Sequence, residues 1–102
     1  MTKIRTLMEH MEREVEDAQH YADLALEYKG NDADLAECYR RLAEEELGHM
    51  DRLHAQVVRL IDGYKRGGKE PPADMMAVYE YLRKRAVKDA ECVNVALGMY
   101  KK

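Results

Sequence analysis

An apolar heptad repeat covers roughly the first 60 residues and most constrains what this chain can fold into. In the first segment, apolar residues recur on one helical face and are interrupted once, at Glu14. The second segment repeats the pattern and is interrupted by Glu46 and His49. The pattern therefore predicts two long amphipathic helices, each with polar residues inside its apolar stripe. The predicted stripes are Ile4, Leu7, Met11, Glu14, Ala18, Tyr21, Ala25 and Tyr28, then Leu35, Tyr39, Leu42, Glu46, His49, Leu53, Gln56 and Leu60.

The composition predicts an all-α fold. The 102 residues are rich in Ala, Leu, Glu, Lys, Arg and Met and contain no Phe or Trp, which favours helix over strand. Glycines and prolines divide the chain into three helices, at about 2–29, 32–62 and 72–100. A chain of this length forms one domain, 1–102, with a modest core that oligomerisation would enlarge.

The helix ends carry recognisable signals. We expect Thr2 to cap the first helix, Gly30 to close it in the left-handed conformation, and Asn31 or Asp32 to cap the second. The second helix should end near Gly63, before a basic, glycine-rich linker. The third should begin at the two consecutive prolines, Pro71 and Pro72.

The charge and the cysteines exclude several classes of function. The net charge of -3 comes from interleaved charges of both signs, so no nucleic-acid partner is indicated. No apolar run approaches the roughly 20 residues that cross a bilayer, so we expect no membrane partner and a cytoplasmic protein. Cys38 and Cys92 lack metal-binding or disulfide spacing, and we interpret both as small packing residues.

A short loop between two long helices predicts an antiparallel hairpin. Measured from the point between Gly30 and Asn31, Glu14 lies 16.5 residues before the turn, and Glu46 and His49 lie 15.5 and 18.5 residues after it. At about 1.5 Å per residue, all three lie roughly 25 Å from the turn. They should therefore meet at one level. Carboxylates in an apolar seam need compensation for their charge, and a metal ion is the simplest partner.

The motif Glu14-x6-Tyr21, followed by Glu46-x-x-His49, resembles the first half of a ferritin-like di-iron carboxylate bundle, as in bacterioferritins and rubrerythrins. The resemblance covers roughly residues 4–62. It implies that Glu14 and His49 are terminal metal ligands and that Glu46 bridges two irons. It also implies that the Tyr21 hydroxyl forms a hydrogen bond behind these ligands.

Full-length members of that family supply a second Glu and a second Glu-x-x-His from helices three and four. This chain has no predicted fourth helix and no Glu-x-x-His after residue 49. Two copies related by a two-fold axis would restore the missing half and complete a four-helix bundle by dimerisation. The chain then resembles the encapsulated ferritins, short proteins that build the site between two subunits. The resemblance implies two irons per dimer, with manganese as an alternative, and a ferroxidase-type oxidation of iron(II). It also implies a homodimer or higher homo-oligomer and an encapsulin-type compartment as partners, although no targeting peptide is evident after Tyr100.

Two other functions stay open. The polar residues can instead hydrogen-bond across a metal-free helical oligomerisation module and fix its register. A rubrerythrin-like peroxide reductase is the third possibility, although this chain lacks the four-cysteine iron site that rubrerythrins carry.

Further titratable residues are weaker candidates. His10 and Asp17 lie one turn from Glu14 and are outer-ligand candidates, but ordinary structural or surface roles are favoured for both. Asp89 and Glu91 are outer-site candidates whose position depends on how the third helix packs. One heptad reading places Asp89 in the seam. Another, through Ala86, Ala90, Val93 and Leu97, leaves it outside. His20 and His54 are expected to be solvated.

Overall fold

A computed structural model describes residues 2–102; for Thr2 it describes only the backbone. These residues form three helices joined by short loops. Helix α1 spans Thr2–Tyr28, α2 spans Ala33–Arg66 and α3 spans Ala73–Lys101. No strand occurs in this range, which confirms the predicted all-α class. None of the helices formed by these residues is long and apolar enough to span a membrane. The predicted cap by the Thr2 side chain lies outside the described residues.

The turn between α1 and α2 confirms one predicted cap and corrects one predicted closure. The Asp32 carboxylate accepts a hydrogen bond from the Leu35 backbone N–H at 3.1 Å, so Asp32 caps α2. Gly30 does not close α1 in the left-handed conformation; in the described part of the chain only Gly68, with φ of 73°, adopts it. Instead, the Tyr28 carbonyl accepts hydrogen bonds from the backbone N–H groups of Asn31 and Asp32, and these bonds hold the turn between the two helices.

Helix α2 is longer than the sequence predicted. It passes through Gly63 and ends at Arg66, because Ile61 is buried and Tyr64 packs against the core, which extends the apolar face beyond the glycine. A glycine within a helix costs only about 1 kcal/mol relative to alanine, and such packing offsets that cost. The chain reverses at Gly67 and Gly68 instead.

The core lies mainly between α1 and α2, which form the antiparallel hairpin, and is completed by α3. Helix α3 runs parallel to α1 and packs chiefly against it, touching α2 only along an edge. At one end, the Tyr100 hydroxyl donates a hydrogen bond to Glu37 of α2 at 3.0 Å. The molecule is elongated, 57 × 19 × 18 Å. The buried hydrophobic residues of the core are Ile4, Met8, Met11, Val15, Ala18, Ala22, Ala25, Ala36, Ala43, Met50, Val57, Ile61, Met75, Ala86, Val93, Ala96 and Leu97.

The predicted stripes are rotated relative to the buried faces. On α2 the buried line consists of Ala36, Ala43, Met50, Val57 and Ile61, and the predicted stripe, one residue earlier, is half-buried or exposed. On α1 the buried line gains three residues, Met8, Val15 and Ala22, while Leu7, Glu14, Tyr21 and Tyr28 are half-buried. On α1 the rotation arises because this helix must bury residues against α3 as well as against α2. The predicted stripes therefore border the core of a single chain.

Candidate metal centre

Three side chains with metal-binding atoms converge at mid-length of the hairpin. The Nδ1 atom of His49 lies 3.7 Å from Oε2 of Glu14 and 3.6 Å from Oε1 of Glu46. One such atom from each residue lies within 4.8 Å of the other two, and the described residues contain no other group of this kind. Ligands of one ion, with bonds of about 2.0–2.2 Å, lie roughly 3–3.5 Å apart. Small side-chain movements therefore suffice to bring all three onto one ion.

Helix geometry explains why the three residues meet. Glu46 and His49 lie three positions apart in α2 and therefore share a face of that helix. Glu14 reaches the same level because α1 runs antiparallel to α2 from the turn at Gly30. Counting residues from the turn predicted that these side chains lie close together, and the distances confirm that proximity. Their role as metal ligands stays a prediction.

The cluster lies on the side of the hairpin away from α3. Glu12 pairs with Arg85 of α3 at 3.4 Å, and Glu44 pairs with Lys101 of α3 at the same distance. Each of these glutamates lies two residues before a cluster carboxylate, a step of about 200° around a helix. On both α1 and α2, the cluster residues thus point nearly opposite to the residues that contact α3.

Half-buried apolar residues flank the cluster along both helices, and we call this surface the open face. Towards the turn it carries three tyrosines whose rings stack in a row: Tyr21 on Tyr39 with centroids 6.0 Å apart, and Tyr39 on Tyr28 with centroids 6.1 Å apart. Towards the other end it carries leucines. The open face is defined by Leu7, Glu14, Tyr21, Tyr28, Leu35, Tyr39, Leu42, Glu46, His49, Leu53 and Leu60.

The two carboxylates are better shielded from solvent than the imidazole. The Glu14 and Glu46 side chains are 14% and 17% exposed, whereas His49 is 47% exposed. No charged residue in the described range is fully buried. The desolvation cost expected from the sequence is therefore small in one chain, and it becomes large only where a second surface covers the cluster.

A fourth titratable side chain contacts the cluster from outside. His10 lies one turn before Glu14 on α1, and its Nε2 atom is 3.0 Å from Oε1 of Glu14. His10 does not belong to the group of mutually close metal-binding atoms. The two oxygens of Glu14 are thus divided, one towards His10 and the other towards His49.

The remaining candidates are placed away from the cluster. Asp89 is half-buried and lines a cavity of about 10 Å³ together with Glu12, on the α3 side of α1. Asp17 and Glu91 are exposed and belong to no potential metal group within residues 2–102. Asp89 and Ala90 are both half-buried, so the covered face of α3 includes residues from both heptad readings, and Asp89 does not lie fully outside it.

Tyr21 lies on the open face but does not hydrogen-bond to any cluster residue in the described chain. Its side chain is two helical turns from Glu14, about 10 Å along the axis. Its hydroxyl therefore has the predicted role only if a partner copy provides the acceptor or if the side chain moves. That role stays a prediction.

Sequence reasoning missed one contact and misjudged two cysteines. His54, expected to be solvated, is half-buried, and its Nε2 atom lies 2.8 Å from the Tyr79 hydroxyl of α3, with the rings stacked at 7°. Burial lowers the pKa of His54, and so does Arg83, while Asp51 acts in the opposite direction. Only the placement of α3 reveals this pair. Both cysteines, expected to pack in the interior, are exposed free thiols at positions 38 and 92.

The strongest electrostatic shifts occur on the α3 side of α2. Hydrogen bonds from Arg40 lower the pKa of Glu37 to about 2, with Tyr100 contributing a further hydrogen bond. Burial and the hydrogen bond to Glu37 raise the pKa of Tyr100. These groups pair with one another and tie the end of α3 to α2, so we assign them a structural role.

Comparisons with known protein families, with curated proteins and with solved structures find no match to this chain.

Proposed function

We propose that two copies of this chain join through their open faces and bind two iron(II) ions between them, which the assembly oxidises. The observation that carries this proposal is the convergence of Glu14, Glu46 and His49 at one level of the hairpin. Two carboxylates and one imidazole form a mixed oxygen and nitrogen donor set, which suits iron(II) or manganese(II).

The incompleteness of the cluster supports a shared site. One chain offers three ligand residues, and its imidazole remains about half exposed, so a single copy would leave an ion open to water. A two-fold interface places the same three residues on both sides of the ions. Four carboxylates then balance the charge of two divalent ions, and two imidazoles complete the donor set. The half-buried tyrosines and leucines of the open face supply the apolar area that such an interface needs.

The chemistry at such a site would belong mainly to the metal. Bound iron(II) would supply one electron per ion to dioxygen or peroxide. The chain's own contribution would be to hold the ions with Glu14, Glu46 and His49. Covering the cluster with a second copy would also remove bulk water and strengthen every charge interaction there.

A metal-free oligomerisation module is the second candidate, and one observation favours it. His49 already lies between the two carboxylates, and His10 lies against Glu14, so the charged groups have partners without an ion. Such contacts would fix the register of two open faces. This candidate predicts that the protein takes up no metal.

Aerobic oxidation of iron(II) separates the two candidates. Glu46→Ala should abolish the rise in ferric absorbance, because it removes a carboxylate that the site requires. His20→Ala is the matched control, since His20 is exposed on α1 and its ring lies 6.2 Å from that of Tyr21, outside the cluster. It should leave the rate nearly unchanged. Equal losses in the two variants, or no oxidation by the wild-type protein, would contradict the proposed function.

A further inference from the structure

We propose that His10 is a positioning residue that occupies one oxygen of Glu14 and leaves the other free for the metal; this inference rests on the proposed function. The imidazole and the carboxylate lie four residues apart on α1, a spacing at which side chains meet on a helix surface. Nε2 of His10 lies 3.0 Å from Oε1 of Glu14, close enough for the imidazole and the carboxylate to be in direct polar contact.

The two carboxylate oxygens of Glu14 face different histidines, and this makes the His10 contact relevant to the candidate metal centre. Oε2 faces His49, the residue that shares the candidate metal centre, while Oε1 faces His10. A carboxylate held on one oxygen can rotate less, so its second oxygen keeps its direction when no ion is present. Mutating a residue that contacts a metal ligand without binding the metal itself typically lowers metal affinity or activity by about 10- to 100-fold.

Two observations favour positioning over direct ligation. His10 lies outside the group of metal-binding atoms that come within 4.8 Å of one another, whereas its contact oxygen belongs to a residue of that group. The side chain is also 49% exposed, against 14% for Glu14, so the imidazole lies at the rim of the cluster.

His20 shows that this placement is specific. It too lies four residues from a glutamate, Glu16, on the same helix. Within residues 2–102 no ion pair joins them, and the His20 ring lies beside Tyr21 instead, with centroids 6.2 Å apart. In that pair the glutamate precedes the histidine, whereas His10 precedes Glu14, so a spacing of four residues does not by itself produce the His10 contact.

The test is anaerobic titration with cobalt(II), whose visible absorption reports its coordination geometry. Wild type should bind about one ion per chain, as two carboxylates and one imidazole per copy imply. His10→Ala should keep that stoichiometry but bind about 10- to 100-fold more weakly, with a broadened spectrum. His10→Gln, which retains an N–H donor, should recover most of the affinity. His20→Ala is the control and should match wild type.

Three outcomes would overturn the inference, and a fourth would overturn the proposed function along with it. Unchanged affinity in His10→Ala would show that the contact is incidental. Fewer cobalt ions bound per chain in His10→Ala than in wild type would show that His10 is itself a ligand. Failure of His10→Gln to exceed His10→Ala, with melting curves showing both variants folded, would point to packing. No cobalt binding by the wild type would remove the site itself.

Discussion

Glu46→Gln should move thermal stability in opposite directions with and without metal. The substitution removes one charge and preserves the shape of the side chain. The carboxylates of Glu14 and Glu46 have oxygens no more than 4.8 Å apart. Unit charges at that separation repel by about 1 kcal/mol in water and about 3.5 kcal/mol at an effective dielectric constant near 20. Both side chains are partly exposed, so the smaller figure sets the expected gain.

Without metal, the variant should melt roughly 4–8 °C above wild type, the shift that about 1 kcal/mol produces in a domain of this size. With iron(II) at a hundredfold excess over Kd, wild type should gain about 2.7 kcal/mol, while the variant should gain far less. The assay is anaerobic calorimetry at pH 8 and fixed protein concentration, with and without iron(II), and with a chelator for the metal-free state.

Glu45→Gln is the matched control, because Glu45 is exposed, adjacent and loses the same charge. Its melting curves should follow wild type in both conditions. The reasoning is refuted if metal-free Glu46→Gln melts at or below wild type, or if iron(II) stabilises it as much as it stabilises wild type. The first result would indicate that the Glu46 carboxylate stabilises the metal-free protein, as the metal-free module predicts.

Two further predictions concern tyrosine and histidine side chains near the hairpin. Tyr21→Phe should slow aerobic iron(II) oxidation by about 10- to 100-fold if the proposed partner copy supplies an acceptor for its hydroxyl behind a ligand. Tyr81→Phe, on the exposed surface of α3, should leave the rate unchanged. Because burial lowers the pKa of His54, the unfolded chain takes up its proton first, so the melting temperature should fall as pH drops below about 6.5. His54→Phe should weaken that pH dependence in calorimetry from pH 8 to 5; equal slopes in the two proteins would contradict it.

The sequence predicted the level of the cluster better than the rotation of the helices. Counting from a turn places Glu14 opposite Glu46 and His49 because the rise per residue is nearly constant along a helix. Which side of each stripe is buried depends on the neighbouring helices. Here α3 packs against α1 and makes Met8 and Val15 core residues.

Side chains near α3 were harder to predict, because the sequence of this helix is apolar on more than one face. His54 was expected to be solvated, but Tyr79 covers it. The sequence predicted that α2 ends near Gly63 because glycine has a low helix propensity. The helix continues to Arg66 because Tyr64 packs against the core. Tertiary contacts outweighed local signals in both cases.

Metal content measured together with particle mass tests the central claim most directly. Protein purified without added chelator, loaded anaerobically with iron(II) and passed through size-exclusion chromatography should carry two irons per dimer by elemental analysis. The metal-bearing species should have at least twice the 11.9 kDa mass of one chain, since in the proposed assembly Glu14, Glu46 and His49 of one copy would form only half of the site. A metal-loaded monomer, or a dimer that takes up no iron, would contradict the account.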